Sequence, residues 1–202
     1  MVKAVVPLSL LEAIRSLDAP VEDGLDDLAP EIVSKRLGLS ATVAAQIARY
    51  RALAERDAAV PREEAESVFR LVGRRSDAPL VFADAGRRAA RHAARRVAAG
   101  ALGRVAPNAL GRRLAARAAA RAAREVFDAD VKFSGGLAEV RSEAPVAAEA
   151  WPGGEACPFH AAAFAELFRL LTGFEGIMRH EGCRGRGDPA CIWRAVPGGA
   201  YE

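Results

Sequence analysis

The position of its cysteines constrains this chain more than any other feature. All three, with two of the three histidines, fall in one C-terminal stretch: Cys157, His160, His180, Cys183 and Cys191. Thiolate and imidazole suit tetrahedral zinc, and three cysteines with one histidine close its coordination shell. A closed shell has no open position for a substrate, so a metal here is expected to be structural rather than catalytic. Cys157, His180, Cys183 and Cys191 are the expected ligands. His160, one helical turn after Cys157, is the alternative fourth ligand. Without a metal, the cysteines read as small buried hydrophobes.

Three cysteines do not make a disulfide framework. The apolar run Ala4–Leu11, broken by Pro7 and closed by Glu12, is too short for a signal peptide, and no stretch is apolar enough to span a bilayer. A cytoplasmic protein is expected. Of its 202 residues 51% are apolar, much of that alanine, and only 6% are aromatic. That balance favours helices.

Local signals then divide the chain. Residues 1–25 carry mixed signals, with a loop at Pro20, Asp23 and Gly24. Helices are predicted over Asp26–Leu37, over Ala41–Arg56 behind the cap Ser40, and over Pro61–Gly73 with Ala65, Val68, Phe69 and Val72 on one face. Two longer helices follow, Ala78–Ala99 after Asp77 and Pro107–Asp128, the latter with Leu110, Leu114, Ala118 and Ala122 as its apolar positions. The character changes at Val131. Strands are predicted at Val131–Phe133 and Ala138–Arg141 around Gly135-Gly136, then a helix Pro158–Leu171 ended by Gly173, then strands Gly176–Cys183 and Ala190–Val196. The expected fold is α+β, a helix-rich N-terminal part packed on a small antiparallel sheet. Residues 1–59 read as a helical extension and 60–202 as the ligand-binding domain.

Charge is unevenly placed. Ala85–Arg124 holds eleven arginines and no acidic residue, leaving 18 basic against 26 acidic residues elsewhere. Arg113, Arg117, Arg121 and Arg124 recur at helical spacing, as do Arg87, Arg91 and Arg95. Such stripes are ordinarily solvated helix faces. Their functional reading is an anion-facing surface for a carboxylate-bearing pigment, an anionic membrane surface or an acidic protein. Nucleic acid is not expected, because aromatic residues are not interleaved and no DNA-binding motif is present.

The run Cys157-Pro-Phe-His, a helix, then His180-Glu-Gly-Cys183-Arg-Gly-Arg-Gly-Asp-Pro-Ala-Cys191-Ile-Trp resembles the 4-vinyl reductase domain family. In that family a cysteine opens a helix and two more flank a Gly-Asp hairpin turn. Upstream, Pro61–Gly73, Val81-Phe-Ala-Asp-Ala-Gly86-Arg-Arg-Ala-Ala-Arg91 and Pro107–Phe127 look like its entry helix, alanine-glycine helix and arginine-rich helix. The resemblance covers roughly residues 60–197, and stand-alone members of bacteriochlorophyll biosynthesis are its nearest match. It implies a fold similar to small-molecule sensors and to vesicle-tethering subunits. It also implies a zinc held by a cysteine, an acidic residue three positions before the second cysteine, and the two hairpin cysteines. Here His180 takes the acidic position, with Glu181 beside it.

The implied ligand is a magnesium tetrapyrrole precursor of chlorophyll, with Arg113, Arg117, Arg121, His92, Phe127, Phe133 and Trp193 as candidate contacts. His92 is the candidate magnesium ligand, the arginines face a carboxylate, and the aromatics form walls. Three functions follow: a carrier or accessory factor working with other bacteriochlorophyll-biosynthesis enzymes; a true 8-vinyl reductase with an external electron donor; and a hydrocarbon-sensing domain. The residues give the reductase no direct support, since there is no G-x-G-x-x-G after a strand, no P-loop and no four-cysteine cluster spacing. Peripheral membrane association and a homodimer are compatible with this reading.

Overall fold

A computed structural model describes residues 1–19, 40–100 and 109–198. The expected helix Asp26–Leu37 and the first residues of the Pro107 helix lie outside them. The chain opens with strand β1 (Val2–Lys3) and helix α1 (Val5–Asp18), then α2 (Ala41–Glu55), β2 (Ala59–Val60), α3 (Arg62–Gly73), α4 (Ala78–Gly100) and α5 (Ala109–Phe127). The C-terminal part is β3 (Asp130–Ser134), β4 (Leu137–Ser142), α6 (Val146–Ala150), α7 (Pro158–Thr172), β5 (Gly176–Gly182) and β6 (Cys191–Pro197). This is an α+β fold.

Several boundaries follow their local chemistry. The Ser40 side chain accepts a hydrogen bond from the Val43 amide and caps α2. Pro61 is the N-cap residue of α3, whose Ala65, Val68, Phe69 and Val72 are all buried. Gly135 and Gly136 take φ of 58° and 84°, the left-handed pair that a two-residue hairpin between β3 and β4 requires. Gly173, at φ 72°, ends α7.

Three elements depart from the sequence expectation. The N-terminal apolar run does not stop at Pro7 or Glu12: α1 runs on to Asp18, with ten of its 14 residues buried. Pro7 is its third helical residue, where the missing N–H has no intrahelical acceptor to lose. On α5 the buried stripe is Ala115, Ala119, Ala122, Ala123 and Phe127, whereas Leu110 and Leu114 are 64% and 48% exposed. Alanine turned inward lets α5 approach α7 closely; its leucines face out. Leu170 on α7 is likewise exposed. The β1–β2 ladder, which pairs Val2 with Val60, and the short α6 had no sequence signal.

The layers stack in one order. The four strands form an antiparallel sheet, β3-β4-β6-β5. One face carries Val131, Val140, Trp193 and His180 in a cross-strand row and is covered by α7; the other carries Glu139, Arg194 and Glu181, joined in ion pairs. Above α7 lies α4, above α4 lies α1, and α2 packs on α1. The α4–α7 crossing is the tightest. A Cβ on Gly86 would stand 2.1 Å from the Phe159 carbonyl oxygen and 3.0 Å from the Ala163 amide. Around it, Phe69, Phe82, Phe127, Phe159 and Phe164 form a chain of ring contacts with centroids 5.1 to 6.2 Å apart. Each buried phenylalanine contributes about 1.5–3 kcal/mol relative to an exposed one. At the rim of this contact Glu166, buried on α7, accepts hydrogen bonds from Arg91 of α4 and from Arg169.

Two outcomes test this packing. Gly86→Ala gains about 1 kcal/mol of helix propensity but meets fixed backbone, so a net loss of about 1–3 kcal/mol in urea unfolding is expected, as for other overpacked cores. Arg169 first, and Arg91 second, hold the Glu166 carboxyl well below its ordinary 4.5, at about 2. A depressed carboxylate stabilises above its unfolded-state value, and that contribution is lost as pH falls through the folded value. Stability from this tie is therefore expected to drain away between pH 4.5 and 2, and Glu166→Gln should flatten that part of the pH–stability curve.

Candidate metal centre

Three segments converge on one buried point. Cys157 stands just before α7, with Pro158 opening the helix. His180 belongs to β5, Cys183 follows that strand, and Cys191 begins β6. Between the last two, a 3₁₀ turn over Arg184–Arg186 and Gly187, at φ 100°, reverse the chain. Asp188 fixes the reversal: its carboxylate accepts from the Cys183 amide at 2.6 Å, and its own amide donates back to the Cys183 carbonyl at 3.2 Å.

His180 and Cys183 are three apart, so in a regular strand they would face opposite sides of the sheet. The ladder contains a bulge: His180 pairs with Trp193, but Gly182 pairs with Ile192. One extra residue on β5 shifts the alternation. It turns Glu181 outward, where it ion-pairs with Arg194 at 2.8 Å, and returns Cys183 to the side of His180.

The result is a four-donor cluster. One ligand atom from each of Cys157, His180, Cys183 and Cys191 lies within 4.8 Å of the others. The Cys157 and Cys183 sulfurs are 3.9 Å apart. Tetrahedral zinc, with Zn–S bonds of ~2.3 Å, sets two sulfurs ~3.8 Å apart, so the donor set fits. All three cysteines are buried, and none is in a disulfide.

The electrostatics favour one charge being placed unevenly. A hydrogen bond from Cys157 lowers the Cys191 thiol, aided by His180 and by the Arg184 amide that donates to its sulfur at 3.3 Å. The Cys157 thiol is pushed up, first by that same hydrogen bond to Cys191 and then by burial. Three buried thiols that cannot all ionise alone can do so around a divalent cation. Such a cluster could hold a metal ion.

His160 is not part of it. It is fully buried against the rings of Phe127, Phe159, Phe164 and Trp193, with its Nδ1 unpartnered. Burial first and the charge of His180 second push its ring down to about 3, so it stays neutral. Sequence reasoning missed a second support. Gly153 and Gly154, at φ 112° and 89°, arch over the cluster; the Gly153 amide donates to the Gly185 carbonyl at 3.0 Å, and a Cβ on Gly154 would sit 2.7 Å from the Cys183 sulfur. The Gly-Gly pair just before Cys157 was the available signal.

The candidate pigment contacts fall into four places. Phe127 and Trp193 are core residues; the indole stacks on His180 with centroids 5.0 Å apart. His92 lines a cleft between α1, α2 and α4. Arg113, Arg117 and Arg121 lie on the outward face of α5, with Arg121 paired to Glu125 at 2.6 Å. Phe133, 38% exposed on edge strand β3, packs edge-on against Phe168.

Comparison of the chain with protein-family models, with curated proteins and with solved structures gave no match.

Cobalt(II), a spectroscopic substitute for zinc, should give thiolate charge-transfer and tetrahedral bands with the wild-type chain. Gly154→Ala should weaken its uptake about tenfold or more, equivalent to at least ~1.4 kcal/mol, and Cys183→Ser should abolish the bands. His160→Ala should keep them. Unchanged spectra in Cys183→Ser would place the metal elsewhere.

Proposed function

We propose that this protein is a ligand-binding carrier or accessory factor of bacteriochlorophyll biosynthesis. On this reading it holds a magnesium tetrapyrrole precursor with a free propionate on a scaffold stapled by one structural zinc. The observation that carries this reading is the outward face of α5. Leu110, Arg113, Leu114 and Arg117 are three or four residues apart and all exposed, so two apolar and two cationic side chains alternate along one stripe. Among the described residues neither Arg113 nor Arg117 has an ion-pair partner. The helix packs beside β3, which presents Phe133. A ligand suited to this surface has a broad apolar body and a carboxylate at its edge. A chlorophyll precursor has both, and the resemblance in the cysteine motif supports the same class.

The four-donor cluster belongs to this reading as scaffold. All its positions are taken by protein ligands, so a zinc there holds the β5–β6 turn to α7 and does no chemistry on the pigment. Partner enzymes of the same pathway would receive the pigment from the exposed α5 face.

Purified protein is expected to carry about one zinc per chain. Titration with magnesium protoporphyrin or divinyl chlorophyllide should quench Trp151 and Trp193 and shift the pigment bands. The double variant Arg113→Glu, Arg117→Glu should weaken binding at least about tenfold, consistent with the ~1.5–3 kcal/mol of hydrogen bonds to a charged group. Added salt and esterification of the propionate should weaken it too. Absence of both quenching and a band shift at micromolar pigment would overturn the reading.

A further inference from the structure

On the α1 side of α4 is a cleft of ≈350 Å³ that belongs neither to the cysteine cluster nor to the outward face of α5. Its floor is apolar: Val5 and Leu8 of α1 and Ala54 of α2 are all buried. Four arginines stand around it, Arg51 from α2 and Arg88, Arg91 and Arg95 from α4. Three of them are anchored. Arg51 binds Glu12 at 2.6 Å; Arg88 binds Asp84 at 2.7 Å and the Ser16 hydroxyl at 3.0 Å; Arg91 binds Glu166 at 2.8 Å. Each guanidinium has five N–H donors in a planar fork, and these carboxylates leave some of them unused. Arg95 is exposed and has no ion pair among the described residues.

His92, half-buried, faces the same space. Its proton is disfavoured by burial first and by Arg96 and Arg95 next, against the weaker opposite pull of Asp57 and Glu12. The lining itself sets four arginines against two carboxylates, Glu12 and Glu55, and so is net positive.

We infer that the cleft between α1, α2 and α4 is a second ligand site, which takes a small amphiphilic anion: a short apolar body on Val5, Leu8 and Ala54, and a carboxylate or phosphate group at Arg95, His92 and the free donors of Arg91. The inference stands independently of the pigment reading, since no residue of the α5 stripe takes part. Preset guanidiniums bind an anion without first having to be ordered, and the apolar floor separates an amphiphile from inorganic phosphate.

Imidazole ring signals in proton–nitrogen spectra of the full chain provide the test, because its three histidines stand in three different environments. Octyl phosphate and octanoate are the probes, with octanol as the uncharged control. An anionic probe should shift the His92 ring signals and leave those of His160 and His180 in place. Arg95→Glu should weaken that response at least tenfold without lowering the melting temperature. Tighter binding of octyl phosphate assigns a phosphate ligand, and tighter binding of octanoate a carboxylate. Equal shifts with octanol, an unmoved His92, or full binding by Arg95→Glu would overturn the inference. Ala54→Val, which narrows the apolar floor, should weaken octyl phosphate while leaving the Arg95 charge intact; unchanged binding there counts against the site as well.

Discussion

The backbone contact between α4 and α7 at Gly86 sets the spacing of the whole molecule. Because no side chain separates Gly86 from the Phe159 carbonyl, the two helices come within reach of each other's backbone. Close approach then decides what can surround them. Large rings flank the crossing on both sides, small alanines line α5 where it meets α7, and the sheet lies flat beneath Phe164 and Phe168. The same crossing fixes the start of α7. Cys157 therefore stands at a determined height above the sheet, level with the turn between β5 and β6.

The candidate metal centre is thus a product of packing as much as of ligand chemistry. One donor is carried by the helix layer and three by the sheet layer. A cation among them would tie the two layers where the hydrophobic contacts end. Asp188 and the Gly153-Gly154 arch hold the turn by hydrogen bonds to its backbone, so the turn that carries Cys183 is ordered by the chain's own groups. A ligand segment already held by its own hydrogen bonds needs less ordering on binding.

What the sequence made legible is local. Ser40, Pro61, Gly135-Gly136 and Gly173 act on their own neighbours, and each element bounded by them lies where its residues indicate. The four metal-ligand candidates were legible because cysteine and histidine are scarce in this chain, so their convergence stands out. What depends on which neighbour arrives was not legible. On α5, leucine outweighs alanine in any hydrophobic count, yet the close approach of α7 selects alanine. Pro7 looks like a break until it is seen in the first turn of a helix. The candidate pigment contacts share chemistry but lie on surfaces facing different ways, and residue type alone cannot report direction. The α1–α2–α4 cleft escaped for the same reason, since its arginines come from helices 37 or more positions apart.

The bulge in β5 has a consequence for how this cluster can change over time. Ligand identity is flexible there, because an imidazole or a carboxylate can serve as the fourth donor to zinc. The bulge is not. At the present spacing, pairing Glu181 rather than Gly182 with Ile192 would restore the regular alternation and send the Cys183 thiol to the opposite side of the sheet, while every side chain kept its chemistry. Substitutions that leave the bulge in place can drift through this hairpin, but loss of the bulge has to be matched by loss of one residue. Related chains that keep the cluster should therefore either hold both the bulge and this count or give up both together.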